Sequence, residues 1–323
     1  MVRTHFPRRA FTLVELIVVI VIIGMVAAIT VPAVQSAREA ARRVSCANNQ
    51  RQLALAFCSY SATHGNFPAA RPTNPLRGWA IELMPHLEAE TFLAAWNLDK
   101  DYCSNENKRL LLKYFSVFHC PSTPNPREKV EVTKDSYGNA IPAISGYTSD
   151  YYVYRGGVRM YDGKTYLNPL NDSKPVPTAE ILDGLSHTIV LNEQCGRPNL
   201  WESNGRRVRN ASVEEPWTCI WAGAASTVVP DVVTGHPNSV VNVSNEFVYS
   251  FHGVGAQAAF LDGSSRMISK HVIPYVMLAL NTRNGYENVG VDDLDLTAFN
   301  ESFVNPKTGL YPDGTSPEAS AGQ

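Results

Sequence analysis

The chain opens with two different hydrophobic patterns laid end to end. From Leu16 to Val31 the residues are almost all apolar, with no polar face. After Pro32 polar residues return, and Val34, Ala37, Ala41, Val44, Leu53, Phe57 and Tyr60 recur at steps of three and four among them. The first pattern predicts a helix buried on all sides or spanning a bilayer, and the second an amphipathic helix with one apolar stripe. Helix-favouring Gln, Arg, Glu and Ala fill Gln35 to Arg43, whereas Gly65 and Pro68 oppose continuation. One helix from Phe11 to about Ala62 would be roughly 75 Å long at 1.5 Å per residue. That suits a hydrophobic stalk whose second half packs on a globular head.

The remainder reads differently. Short apolar stretches, Ile189 to Leu191 and Ala256 to Leu261, stand next to Asp183-Gly184 and Asp262-Gly263. Asp-Gly beside strand-like runs predicts hairpin turns of type I′, which need φ > 0 at both central residues. The 14 Tyr and 12 Phe favour strands, and 21 Gly with 21 Pro imply many loops. Hydrophobic content of 44% against 18% charged residues supports a packed core. The expected fold is therefore α+β, with one long N-terminal helix packed on an antiparallel sheet carrying long loops. The expected boundaries are a leader at 1–10, a membrane or assembly helix at 11–32, its amphipathic half at 33–63, a head at 64–311 and a tail at 312–323.

The decisive local feature is Arg8-Arg9-Ala10-Phe11-Thr12-Leu13-Val14-Glu15 immediately before the apolar run. An ordinary secretory signal is cut after its apolar core and loses it. Here the small residue Ala10 precedes the core, so a cut between Ala10 and Phe11 leaves the apolar segment on the mature chain. The 16 residues from Leu16 to Val31 are short for a bilayer unless Phe11 to Val14 are included. Glu15 then lies within an apolar segment, and an ionisable residue there costs several kcal/mol unless it is partnered. Cleavage would create an α-amine on Phe11 that is mostly protonated at neutral pH. This stretch closely resembles the start of a type IV prepilin or type II secretion pseudopilin, with Ala10 where most such proteins carry glycine. The resemblance implies cleavage by a prepilin peptidase, N-methylation of Phe11, and pairing of Glu15 with the amine of a neighbouring pilin-like subunit. It also implies a helix loosened between Gly24 and Pro32 on packing into a filament. Pro32 simply ending a membrane helix is the alternative, since an interior proline removes a hydrogen bond.

Arg3, Arg8 and Arg9 before the apolar run suit a cytoplasmic leader, an inner-membrane anchor and an exported head. Arg38, Arg42 and Arg43 beyond it weaken that asymmetry. Loss of the three arginines in Met1 to Ala10 moves the formal net charge from -2 to -5. A mildly acidic head makes no electrostatic case for nucleic acid.

Further segments carry a second resemblance. Arg42-Arg43-Val44-Ser45-Cys46-Ala47-Asn48-Asn49-Gln50, Tyr60 to Pro68, Trp79 to Glu88, Cys120-Pro121-Ser122, Ile181 to Ile189 with Glu193, Ser250-Phe251-His252-Gly253 and Phe260-Leu261-Asp262-Gly263-Ser264 follow in order. Together they are similar to a large family of prepilin-like proteins, abundant in planctomycete-type bacteria, with a C-terminal His-spacer-Asp-Gly domain and no defined molecular role. Asp183, Gly184, His252, Asp262 and Gly263 are the motif residues. His187 and Cys58 depart from the residues common at those places.

Candidate chemistry in the head is sparse. Six cysteines, at 46, 58, 103, 120, 195 and 219, permit up to three disulfides. Cys46 and Cys58 share the long helix too far apart to bond each other, and Cys120 is the candidate partner of Cys46. Buried thiols serve equally for the rest. No Cys-x-x-Cys or Cys/His spacing suggests zinc. Asp292, Asp293 and Asp295, near Glu287, form the one cluster where calcium would fit, as surface acids that are otherwise simply solvated. His252 and Asp262 could pair on neighbouring strands, but no nucleophile elbow accompanies them and Ser186 and Ser264 sit in ordinary turns. His64, His236 and His271 have no partner at a telling spacing. The expectation is thus a structural subunit without cofactor or catalytic residues. The alternatives are an exported binding or adhesion protein that is anchored without polymerising, a head released by a cut after Val26-Ala27-Ala28, and a hydrolase using His252 and Asp262.

Overall fold

The computed structural model describes residues 13–125, 127–134, 140–159, 165–202, 206–212, 219–222, 241–242, 248–272 and 274–284. The sequence divides into two compact units, Met1–Arg42 and Arg43–Gln323. Helix α1 runs from Leu13 to His64, and helical geometry persists through Pro32. In the first unit its apolar side chains, including Leu16, Ile20, Ile23 and Val31, are exposed. The segment is long and apolar enough to cross a membrane, and none of that window is buried within the molecule. Glu39 and Arg42 close an ion pair at 2.6 Å one turn apart, the ordinary solution for a polar helix face.

In the second unit α1 buries a defined stripe of Cys46, Gln50, Leu53, Ala54 and Phe57. Their spacing of three and four residues puts them on one face. The predicted stripe is therefore corrected over its first half. Val34 and Val44 are exposed at 49% and 61%, and the buried face begins at Cys46.

Among the described residues twelve short strands follow: β1 (Asn66–Phe67), β2 (Lys129–Lys134), β3 (Ala140–Tyr147), β4 (Tyr151–Tyr152), β5 (Gly157–Arg159), β6 (Thr165–Leu167), β7 (Val176–Pro177), β8 (Ile189–Glu193), β9 (Asn199–Glu202), β10 (Arg206–Ser212), β11 (Gly255–Phe260) and β12 (Ser265–Ser269). Helices α2 (Trp79–Leu83) and α3 (Glu90–Ala95) lie between β1 and β2, and α4 (Pro274–Leu280) follows β12. The organising sheet has the order β12-β11-β8-β4, with every pairing antiparallel. The other described strands form two-stranded ribbons.

The two central strands are buried along their whole length. Their side chains alternate between two layers, as strand geometry requires. Leu191 and Ala259 join the core that contains Leu53 and Phe57 of α1, together with Trp79 and Phe118. Ile189, Ala256, Ala258 and Phe260 join a second core with Val276, Met277 and Leu280 of α4. The sheet is thus sandwiched between the C-terminal half of α1 and α4.

Two glycines are sterically required. At Gly255 an added Cβ would stand 2.0 Å from the carbonyl oxygen of Ile268 in the paired strand. Gly263 has φ +85, and its Cβ would meet Leu55 of α1 at 2.9 Å. The Asp262-Gly263 hairpin forms, but only Gly263 is left-handed, and Gly263 N–H closes on the Phe260 carbonyl at 3.1 Å. That is the turn of a three-residue loop with a glycine bulge, in place of the predicted type I′. Asp183-Gly184 is a turn but joins no hairpin, because β7 pairs with β1 while β8 pairs with β4 and β11.

Phe57 stacks on Trp79 at 5.6 Å between centroids and is fully buried. Phe57→Ala should therefore cost about 3–5 kcal/mol of stability, while Val44→Ala on the exposed face should stay within about 0.5 kcal/mol. Denaturant midpoints of the detergent-solubilised full chain check this, and equal losses would refute the assigned helix face.

Candidate metal centre

At the level of Cys46, four segments distant in sequence converge on one buried point. Cys46 projects from α1 toward the sheet, Glu193 ends β8, Cys120 follows a short helical turn at Ser116–Phe118, and His252 lies in the loop before β11. All four are 0% exposed. Their ligand atoms (two sulfurs, one carboxylate oxygen and one imidazole nitrogen) all lie within 4.8 Å of one another. Cys120 Sγ is 3.4 Å from His252 Nε2, and His252 Nε2 is 4.0 Å from Glu193 Oε1. Cys46 Sγ contacts Glu193 Oε1 directly and stands 3.0 Å from the Tyr151 hydroxyl.

A second layer holds these groups in place. Glu193 Oε2 accepts the Gln257 N–H at 2.8 Å, which fixes the carboxylate against β11. Gln50 donates to the Gln257 carbonyl at 2.9 Å, tying the same turn of α1 to the same strand. The fully buried Asp150 carboxylate accepts Cys120 N–H at 2.9 Å, Thr123 Oγ1 at 3.0 Å and Gly196 N–H at 3.0 Å. It therefore sets the loop that presents Cys120. Asn242, left-handed at φ 64, accepts Ser250 N–H at 2.7 Å and donates to the His252 carbonyl at 3.1 Å.

The electrostatics follow from the dryness of the site. Burial, with the Cys120 sulfur beside it, pushes Glu193 up to about 8. Burial likewise pushes Asp150 up to about 7 and holds the neighbouring His119 down at about 4. Burial raises the Cys46 thiol, whereas hydrogen bonds from Cys195 and Cys46, with His252 alongside, lower that of Cys120.

This geometry revises several sequence expectations. Cys120 is the candidate disulfide partner of Cys46 by sequence; here both are thiols of one cluster. The sequence contains no zinc-type spacing, and these four residues, drawn from a helix, a strand and two loops, share none. His252 does not pair with Asp262. Its Nε2 turns inward to Cys120 and Glu193, while Asp262 sits on the exposed hairpin, bonding Ser264 N–H at 2.9 Å and Arg266 at 3.4 Å. Asp183 lies in its turn, with Thr282 at 3.5 Å from its carboxylate. Glu15 and Pro32 lie on α1 in the first unit. Ala10, Phe11, Asp292, Asp293 and Asp295 lie outside the described residues. Sequence reasoning missed Asp150, Gln257 and Asn242, whose roles are read only through backbone groups of distant segments.

Residues 35–273 match the family described as "Protein of unknown function (DUF1559)", well over half of the 323-residue chain. The chain belongs to this family. Residues 6–31 match the prokaryotic N-terminal methylation motif, which marks the chain as prepilin-like and processed by a prepilin peptidase. No curated protein and no solved structure matches the chain. Each of the four cluster residues falls in one of the segments by which the sequence resembles the prepilin-like family with a His-spacer-Asp-Gly domain. The family match covers all four.

Asp150 should behave as the keystone of the Cys120 loop. In Asp150→Asn the amide cannot accept at both oxygens, so one buried N–H donor is stranded at a cost of about 1–3 kcal/mol. Thr123→Val removes one donor without stranding another and should cost about 1 kcal/mol. Chemical unfolding of the two variants should separate them in that order.

Proposed function

We propose that this protein is a pilin-like structural subunit, cut between Ala10 and Phe11, N-methylated on Phe11, and assembled through α1 into an envelope filament or secretion-associated pseudopilus. The supporting observation is the methylation motif at 6–31 coinciding with a helix whose apolar residues from Leu13 to Val31 are exposed in the single chain. So large an apolar surface must be covered by lipid or by protein. In the membrane before assembly, lipid covers it; in a polymer, the helices of neighbouring subunits do. Glu15 supplies the register. Its carboxylate meets the protonated amine of Phe11 on an adjacent subunit, so two charges that are costly alone in an apolar environment neutralise each other.

In this reading the segment 64–311 is an exported head and 1–10 a cytoplasmic leader. The head is a display module, carried on the outer face of the polymer or held at the membrane surface. The partners are the prepilin peptidase, the inner membrane and further pilin-like subunits.

N-terminal sequencing and intact mass of protein from its native membrane should give a chain starting at a methylated Phe11. Glu15→Ala should leave processing and membrane insertion intact but remove pelletable polymer. Polymer surviving at the wild-type level would reject the charge-pair mechanism. A mature chain starting at Ile29 would reject the pilin reading altogether.

A further inference from the structure

We propose that Cys46, Cys120, Glu193 and His252 bind one zinc(II) ion as a closed, four-coordinate structural centre within the head. The argument starts from geometry. Tetrahedral zinc takes sulfur at about 2.3 Å and nitrogen or oxygen at about 2.0–2.2 Å, which places ligand atoms roughly 3.3–3.8 Å apart. Cys120 Sγ and His252 Nε2, 3.4 Å apart, stand at that spacing. His252 Nε2 and Glu193 Oε1, 4.0 Å apart, lie just outside it, and Cys46 Sγ and Glu193 Oε1, in direct contact, lie inside it, so a bound ion would draw the first pair together and part the second. All four donors fall within one 4.8 Å cluster.

The donor chemistry selects the metal. Two thiolates exclude calcium and magnesium, which want all-oxygen shells. An iron–sulfur cluster is held by four thiolates as a rule, and the grouped ligands include two cysteines, with Cys195 adjoining Cys120. Two sulfurs, an imidazole and a carboxylate in a compact non-planar group match zinc. Every ligand is 0% exposed, so no coordination position faces solvent as a catalytic zinc site would require.

Burial gives the energetic reason. Two thiols, a carboxylate and an imidazole enclosed in a core are costly if any one is ionised without a counter-charge. A disulfide between Cys46 and Cys120 would consume both sulfurs and leave Glu193 and His252 facing each other in the dry interior. A divalent cation satisfies all four at once. The outer layer is already set for it: Tyr151 hydroxyl on Cys46, Gln257 N–H on Glu193, and Asp150 on the Cys120 backbone. Such partners orient ligands and tune their basicity. Binding requires the thiols to lose their protons, which are released as the metal enters.

The consequence is mechanical. The ion ties α1 at Cys46 to the end of β8 and to two loops of the head, so the helix and sheet are clamped at one point within the second unit. This clamp does not depend on whether the protein polymerises.

The test uses the full chain purified in detergent from its native membrane without added chelator or reductant. Elemental analysis should find about one zinc per chain, and zinc-edge X-ray absorption should show two sulfur and two nitrogen or oxygen neighbours. Cys120→Ser and His252→Gln should lose at least about nine-tenths of the metal, while Cys103→Ser, outside the cluster, keeps it. Should the ligand variants fail to fold, the absorption spectrum of the wild-type protein still decides the matter. Absence of stoichiometric metal, a shell without two sulfurs, a different metal in the site, or a Cys46–Cys120 disulfide in the peptide map would each overturn the proposal.

Discussion

Everything in the head is arranged around one constraint: the C-terminal half of α1 must bury a stripe that is only partly apolar. Leu53, Ala54 and Phe57 supply ordinary hydrophobic area, and Phe57 lies against Trp79. Cys46 and Gln50 occupy the same face and must be satisfied by hydrogen bonding, because polar groups enclosed without partners are expensive. Gln50 reaches the backbone of β11, and Cys46 reaches Glu193 and Tyr151. The polar members of the stripe therefore fix the helix on the sheet in one register, which apolar packing alone would leave less determined.

The same constraint explains where the unusual chemistry lies. Glu193 is placed at the end of a strand buried on both sides, so its carboxylate has no route to water. Cys120 and His252 arrive on loops held by Asp150 and Asn242. Those loops are ordered by backbone hydrogen bonds to buried side chains and not by secondary structure of their own. A buried polar network is stable only when its members are satisfied, and the second layer meets part of that need through Tyr151, Gln257 and Asp150.

The two units express two solutions to the problem of apolar surface. The described residues from 43 onward bury theirs internally, in two layers either side of a four-stranded sheet. The first unit exposes its own, and its methylation motif ties it to the prepilin class. So large an exposed apolar surface calls for an apolar cover from outside the chain.

How much of this was legible beforehand differs between local and non-local features. The long helix, the strand-like stretches at Ile189 and Ala256, and the Asp262-Gly263 hairpin were readable because periodicity and turn chemistry act over a few residues. Val34 and Val44 misled, since periodic apolar spacing marks a face without saying whether anything covers it. By sequence His252 and Asp262 could pair on neighbouring strands, yet the His252 ring turns to Cys120 and Glu193. Residues 46, 120, 193 and 252 carry no common spacing that a linear reading could join. The N-terminal motif and the helix it opens are written in contiguous residues, so the sequence by itself determined them. The four-residue centre is produced by helix-on-sheet packing and by strand order, which bring atoms together across long stretches of chain. Only the tertiary structure could decide that.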